Sequence, residues 1–354
     1  MSLKPEYRRI LIVKPSSIGD VIHSLPVLTE LRANFPESHI GWLVARKALD
    51  IIQDNPYLNE VFIFERDRWR RLKDWPGACV GLVRLLWNIR HQRFDVAIDL
   101  QGLLRSGLLS WLSGAKVRAG FAAGREMSHI FYTHRINPEK NQHIVEQYLT
   151  LLRSLGVEAQ PPEFKIVIPE KARLRVRKLI EEAKTEGGAI LTVVAPGSSW
   201  PTKRWKPMKY ALLAQALTAQ YNARVALVGS ASEIPLTREV ERQAGLKMMN
   251  LAGRLSLKEL AALLEMADVC IAGDTASLHL AVALGTPIVG IFGPTNPAYT
   301  GPFGQMHRVV YARVYCSPCS TRNCQRHRCL DAICVEDVLD KITELAREMK
   351  WSIF

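Results

Sequence analysis

The sequence predicts an α/β protein of two doubly wound, parallel-sheet domains, and three observations carry that expectation. Short apolar runs of strand type alternate with helical patterns through both halves of the chain, which implies parallel sheets covered by helices on both faces. The alternation lapses once, in a stretch rich in Pro and polar residues at 157–170 (Pro161, Pro162, Pro169), and restarts after Gly187 and Gly188. The length, 354 residues, also exceeds a single core at about 150 residues per domain.

In the first half, residues 9–14 (RILIVK) form a continuous apolar run of the buried-strand kind. Val21, Ile22, Leu25, Leu28 and Leu31 then recur at helical spacing and predict one helix over 20–33. Further strands are expected at 39–45, 60–64, 95–100 and 117–121. The linker leads into a charged helix over 171–184. In the second half, strands are expected at 189–195, 224–229, 248–251, 269–273 and 287–292, with helices at 208–219, 233–243, 257–266 and 275–284. A last helix, 335–349, is too short to be a domain. Doubly wound sheets bind ligands outside the carboxyl ends of their strands, and with two such domains the expected place is the cleft between them.

Charge narrows the partner. The 47 Lys and Arg against 34 Asp and Glu give +13, which suggests nucleic acid, an anionic membrane surface or a phosphorylated substrate. The excess is spread over both halves, and neither a helix-turn-helix pattern nor an RNA-binding aromatic signature is present, which argues against nucleic acid. A basic binding module for nucleic acid or anionic lipid is the non-enzyme alternative. The most apolar region, 261–293, is interrupted by Glu265, Asp268, Asp274, Gly285 and Pro287 and does not read as a membrane span. No signal-peptide pattern opens the chain, and seven cysteines read as free thiols or metal ligands, so a cytoplasmic protein is expected.

Three post-strand turns carry the chemistry. The first strand runs into Lys14-Pro15-Ser16-Ser17-Ile18-Gly19-Asp20, where Asp20 is either a helix N-cap or a carboxylate placed to take a proton. No dinucleotide fingerprint or P-loop occurs anywhere, which removes the main support for dehydrogenase and NTPase readings. In the second half, Pro196-Gly197-Ser198-Ser199 precedes Lys203, a combination suited to a diphosphate or else an ordinary surface loop. One strand later, Glu233 follows another small-residue turn and is a candidate for holding ribose hydroxyls. Asp274 or Thr275 caps a helix whose free N–H groups make an anion site, with His279 one turn along.

The runs KPSSIGDVIHSLP, PGSSWPTKRW and GDTASLHLAVALGTPIVGIFGPTNP, with DLQGLLRSG at 99–107 and HIVE at 143–146, resemble the bacterial ADP-heptose:lipopolysaccharide heptosyltransferases of glycosyltransferase family 9. The resemblance covers nearly the whole chain, and SSIGDVIHSLP with DLQGL is closer to type I than to type II. It implies the GT-B fold, with two Rossmann-like domains facing each other across a cleft. Residues 1–170 would bind acceptor, 171–335 would bind nucleotide sugar and contain the Cys cluster, and a C-terminal helix in 336–354 would pack back on the first domain. It further implies inverting transfer of L-glycero-D-manno-heptose from ADP-heptose to the Kdo of the inner core, with no cofactor required. By motif, Asp20 would be the general base and Lys203 would stabilise the departing diphosphate. Ser198, Ser199, Lys203, Glu233, Leu255, Asp274, Thr275, Ala276 and His279 would hold the donor. Ala276 stands where relatives often have Gly, which keeps the N–H but narrows the approach to phosphate.

On the acceptor side, Ser16, Ser17 and Gln101 join Arg66, Arg68, Arg70, Arg71, Arg105 and Arg125 as candidates for the carboxylates and phosphates of Kdo-lipid A, the alternative for the 66–73 cations being a solvated charge run. The Arg-bearing stretch 103–112 is either a core helix or a contact with the cytoplasmic face of the inner membrane. Cys316, Cys319, Cys324 and Cys329 suit a structural Zn or Fe site, free thiols or disulfides.

Overall fold

The computed structural model describes residues 6–65, 75–139, 141–183, 185, 188 and 190–351. Backbone contacts divide the chain into two compact units, Met1–Val167 and Ile168–Phe354. In the first unit six strands follow in order: β1 Arg9–Val13, β2 His39–Ala45, β3 Glu60–Phe64, β4 Val96–Asp99, β5 Val117–Phe121 and β6 His134–Ile136. All pair in parallel, in the spatial order β3-β2-β1-β4-β5-β6. The second unit holds β7 Ile190–Ala195, β8 Ala223–Leu227, β9 Met249–Asn250, β10 Val269–Gly273, β11 Ile288–Phe292 and β12 Val309–Tyr311. Its order, β12-β11-β10-β7-β8-β9, is the same topology read from the other edge.

Both sheets are the doubly wound α/β type that the alternation predicts, and each places its point of strand-order reversal between its first and fourth strands. That is β1 beside β4 in one unit and β7 beside β10 in the other. The central strands are buried along nearly their whole length, β1 and β2 each leaving only the first residue partly exposed. This burial explains why they read as continuous apolar runs. Burying each such aliphatic side chain is worth about 1.5–3 kcal/mol. The two strands the sequence did not signal, β6 and β12, are three-residue edge strands, too short to show a period.

Where one helix was expected over 20–33, two form, Ile18–His23 and Leu25–Asn34. Pro26, near the start of the second, has no N–H to continue the first helix's bonding. The Ser24 hydroxyl instead returns to the carbonyls of Asp20 and Val21, at 3.0 and 2.9 Å. The C-terminal helix Val335–Met349 buries Val338, Ile342, Leu345 and Ala346 in the core of the second unit, beside Trp205 and Tyr210. Its main contacts within the second unit are with β11, β12 and the helix Pro207–Tyr221. Among the described residues no helix is long and apolar enough to cross a membrane.

Candidate functional site

In each unit the candidate residues gather where the strand order reverses. In the first, β1 passes into Lys14-Pro15-Ser16-Ser17, and Ser17 is the N-cap of the helix Ile18–His23. Asp20 is therefore not the N-cap but the third residue of the helix. Its Oδ2 accepts from the Ser17 N–H and from the Ser17 hydroxyl, both at 2.8 Å, the reciprocal arrangement of a capping box. The side chain is half-buried, so it is oriented and still reachable.

The neighbouring strand supplies the support. The Ser16 N–H donates to Gln101 Oε1 at 3.1 Å, which ties the loop carrying Asp20 to the turn after β4. That turn is held by Asp99, fully buried, which accepts from the N–H groups of Gln101 (2.8 Å) and Gly102 (3.2 Å) and from the Tyr132 hydroxyl (2.6 Å). Burial pushes the Asp99 carboxyl up, against the lowering effect of Tyr132, Ser106 and the two backbone donors. Lys14, 3% exposed, donates to the Leu100 carbonyl at 2.9 Å and to the Tyr148 hydroxyl at 2.8 Å. Burial lowers its pKa, and the negative charges of Asp20 and Asp99 partly oppose that shift. Tyr148 arrives on the helix Ile144–Ser154, capped by His143 of the HIVE run.

The arginines predicted for the acceptor do not all join this group. Arg105 and Arg125 are exposed, and among the described residues neither bonds to the Asp20 loop. Arg66, Arg68, Arg70 and Arg71 lie outside the described residues.

The second unit builds a charged cluster at the equivalent place. Lys203 Nζ meets Asp274 Oδ2 at 2.5 Å, and His279 Nε2 lies 3.2 Å from Asp274 Oδ1. Thr275 is the N-cap of the helix Ala276–Ala283, and His279, on the helix's first turn, faces back to Asp274. Burial acts to raise the Asp274 carboxyl, but the His279 hydrogen bond and the His279 and Lys203 charges outweigh it and hold it well below the usual carboxylate range. Lys203 also lies over the Trp200 ring at 4.3 Å, with the Arg322 guanidinium at 4.4 Å from the same ring.

Around this cluster, Ser198 Oγ and Thr275 Oγ1 are buried without a hydrogen-bond partner among the described residues. Buried hydroxyls are nearly always paired, and these two lie on the turns after β7 and β10, the turns that also carry Lys203 and Asp274. The Ser198 carbonyl is held by Arg204, at 2.9 and 2.7 Å. Glu233 reaches the same loop: a Cβ at Gly197 would sit 2.0 Å from its Oε1, so only glycine permits this approach. Its Oε2 accepts from the Ser230 N–H and hydroxyl at 2.7 and 2.8 Å. Ser199 is exposed, Ala276 opens the helix, and Leu255 sits in the turn before the helix Leu257–Met266, beyond β9.

Cys316, Cys319, Cys324 and Cys329 line one cavity of about 390 Å³ and are free thiols. Among the described residues, however, no three His, Cys, Asp or Glu side chains are close enough to share a metal ion. The structural Zn or Fe site that the spacing suggests is therefore not supported by the described residues, in which Cys329 is buried on the helix Arg328–Asp331 and Cys316 and Cys319 are exposed on the loop before it. The loop braces the Lys203 turn instead, through Arg322 on Trp200 and the Thr202 hydroxyl on the Thr321 carbonyl at 2.9 Å.

Residues 82–329 match the family model of glycosyltransferase family 9 (heptosyltransferase). The chain is 32% identical to lipopolysaccharide heptosyltransferase 1 of Pseudomonas aeruginosa over 321 residues, covering 89% of this chain and 87% of that one. It is 27% identical to the Escherichia coli K12 protein of the same name, over 86% of this chain and 93% of the other. Among solved structures, a family 9 glycosyltransferase from Veillonella parvula superposes with a TM-score of 0.81 at 22% identity, covering 98% of this chain and 99% of its own. An E. coli heptosyltransferase solved with ADP superposes with a TM-score of 0.75 at 24% identity, over 96% and 100%. The fold of these structures, GT-B, is the fold of this chain.

Proposed function

Since the chain belongs to glycosyltransferase family 9, we propose that it transfers heptose from ADP-heptose to the Kdo sugar of the lipopolysaccharide inner core. The observation that carries the donor side is the Lys203–Asp274–His279 cluster at the end of β10, with the orphaned hydroxyls of Ser198 and Thr275 on the same two turns. A diphosphate has the acceptor oxygens that both hydroxyls lack and a charge that Lys203 can meet, and a polar group paired on binding restores the bonding that burial removed. Glu233, held against Gly197, is the group for the ribose hydroxyls.

Asp20 is the base in this reading. A sugar hydroxyl is too weakly acidic to attack unaided, and a carboxylate within reach takes its proton as the new glycosidic bond forms. Ser17 fixes Asp20 through Oδ2, and the Gln101 amide fixes the loop through Ser16. As the bond from the heptose anomeric carbon to ADP breaks, negative charge grows on the diphosphate, and Lys203 offsets it. In the free protein that cation is paired with Asp274, so donor binding exchanges one anionic partner for another. His279 keeps the Asp274 carboxylate hydrogen-bonded through the exchange.

Transfer assays with ADP-heptose, UDP-sugars and GDP-sugars against Kdo-bearing and already heptosylated acceptors test this. Product with ADP-heptose and the Kdo acceptor alone is expected. Product only with the heptosylated acceptor would assign the second-heptose reaction, and preferential use of a UDP- or GDP-sugar would overturn the donor.

A further inference from the structure

Lys203 carries its charge on a flexible four-carbon stem, and the second unit restrains that stem by more than the ion pair with Asp274. The turn after β7 closes with the Lys203 N–H donating to the Trp200 carbonyl at 3.0 Å and the Arg204 N–H to the Pro201 carbonyl at 3.1 Å. Residue 203 is thereby brought back over residue 200, and Lys203 Nζ lies 4.3 Å from the centre of the Trp200 ring. An indole face attracts a cation electrostatically, so it restrains where the ammonium can go. The turn alone does not hold that ring, because Trp200 stands between Ser199 and Pro201, both exposed. A second cation covers it: the Arg322 guanidinium carbon is 4.4 Å from the same centre.

Arg322 comes from the loop that carries Cys316, Cys319 and Cys324, and that loop is tied down next to it. The Cys319 and Ser320 N–H groups both donate to the Pro294 carbonyl, at 3.0 and 2.8 Å, and the Ser317 hydroxyl donates to the Gly293 carbonyl, so the loop rests on the turn after β11. Buried Thr202 donates its hydroxyl to the Thr321 carbonyl at 2.9 Å. The residues that precede Lys203 and Arg322 are thus bonded to each other, and Cys329 and Leu330 anchor the far end of the loop in the core. Arg322 is exposed, and among the described residues it is in no ion pair. It therefore does not serve to neutralise a carboxylate; its contact is the ring that Lys203 also covers. Two like charges on one indole repel, and of the two Lys203 has the compensating anion, Asp274. The repulsion directs the Lys203 ammonium toward an anion, which is Asp274 in the free protein and the diphosphate once donor is bound.

We propose that Trp200 and Arg322 are positioning residues for Lys203, through which the Cys-bearing loop sets the cation of the donor site. This rests on the donor assignment made above. A residue that acts through Lys203 loses its effect once Lys203 is gone, whereas one that touches ADP itself, or merely stiffens the turn, keeps it. Calorimetric titration of ADP into the wild-type protein, Arg322→Ala, Lys203→Ala and the double variant measures this coupling. Arg322→Ala is expected to weaken ADP binding about threefold or more in the wild-type background and to have no further effect in the Lys203→Ala background. Trp200→Leu is expected to match Arg322→Ala, while Trp200→Phe, which keeps an aromatic face, retains most of the affinity. In steady-state transfer, Arg322→Ala is expected to lower kcat more than it raises the donor KM, because the charge on the diphosphate grows only as the bond to heptose breaks. Urea midpoints report folding of the variants. Unchanged affinity in Arg322→Ala, or an equal loss in both backgrounds, overturns the proposal and leaves the functional reading intact where heptose is still transferred. The coupling without any heptose transfer leaves the positioning role standing and refutes the functional reading alone, and failure of the wild-type protein to bind ADP refutes both.

Discussion

Asp99 and Asp274 occupy corresponding points of one topology, at the carboxyl end of the fourth strand of each unit, and they are held in opposite ways. Asp99 is met by neutral donors, a tyrosine hydroxyl and two backbone N–H groups, and burial pushes its carboxyl up. Asp274 is met by Lys203 and His279, which outweigh burial and hold its carboxyl down. The difference separates two jobs of a strand-reversal point. Neutral donors around Asp99 fix a turn whose Gln101 bonds to the Asp20 loop, while ionic partners surround Asp274 and hold Lys203, the cation proposed to meet the diphosphate.

Substitutions in each unit can break this comparison. The largest effect is expected for Asp20→Asn, which removes the base and lowers the transfer rate by about 10²–10⁴-fold in steady-state assays. A near-normal rate would move the proton transfer elsewhere. Next comes Asp274→Asn. Removing the carboxylate strands Lys203 and costs about 3 kcal/mol in urea unfolding, against about 1 kcal/mol for Asp99→Asn, whose neutral donors can still be accepted by the amide oxygen. Comparable losses at the two positions would erase the distinction.

The pH dependence of those losses sharpens it. The folded Asp274 carboxyl lies below its ordinary value, so its contribution is complete above that value and fades as pH falls through the depressed one. Asp99 lies above its ordinary value, so its contribution is complete below that value and fades as pH rises through the raised one. Between about pH 7 and about pH 3, the urea-midpoint penalty of Asp274→Asn is expected to shrink and that of Asp99→Asn to grow. Slopes of the same sign would contradict the assignment. The smallest effect is expected for Gln101→Leu, which deprives the Ser16 N–H of its acceptor at a cost of about 1 kcal/mol and lowers the transfer rate without changing ADP affinity.

Much of this was legible in the residues. The alternation located the central strands because parallel strands buried on both faces must be apolar throughout, and the turns after β1, β7 and β10 contain Asp20, Ser198, Lys203, Asp274 and Thr275. His279 facing Asp274 followed from helical spacing. Other features depend on distance along the chain. Lys203 and Asp274 are 71 residues apart and Asp99 and Tyr132 are 33 apart, so no local pattern announces either pair. A lysine after a strand reads as a surface cation, yet Lys14 is buried between the Leu100 carbonyl and Tyr148. Glu233 and Asp20 share the Ser-x-x-acid capping box, so the motif alone does not separate the two roles proposed for them. They differ in the strand each follows: β1 lies at the reversal point, and β8 lies one strand away from it.

Calorimetric titration of ADP into the wild-type protein, Lys203→Ala and Asp20→Asn tests the division of labour most directly. The account predicts that Lys203→Ala weakens ADP binding at least about tenfold, as expected for a lost charge-assisted contact, while Asp20→Asn leaves it unchanged. Unaltered affinity in Lys203→Ala, or an equal loss in both variants, would contradict it.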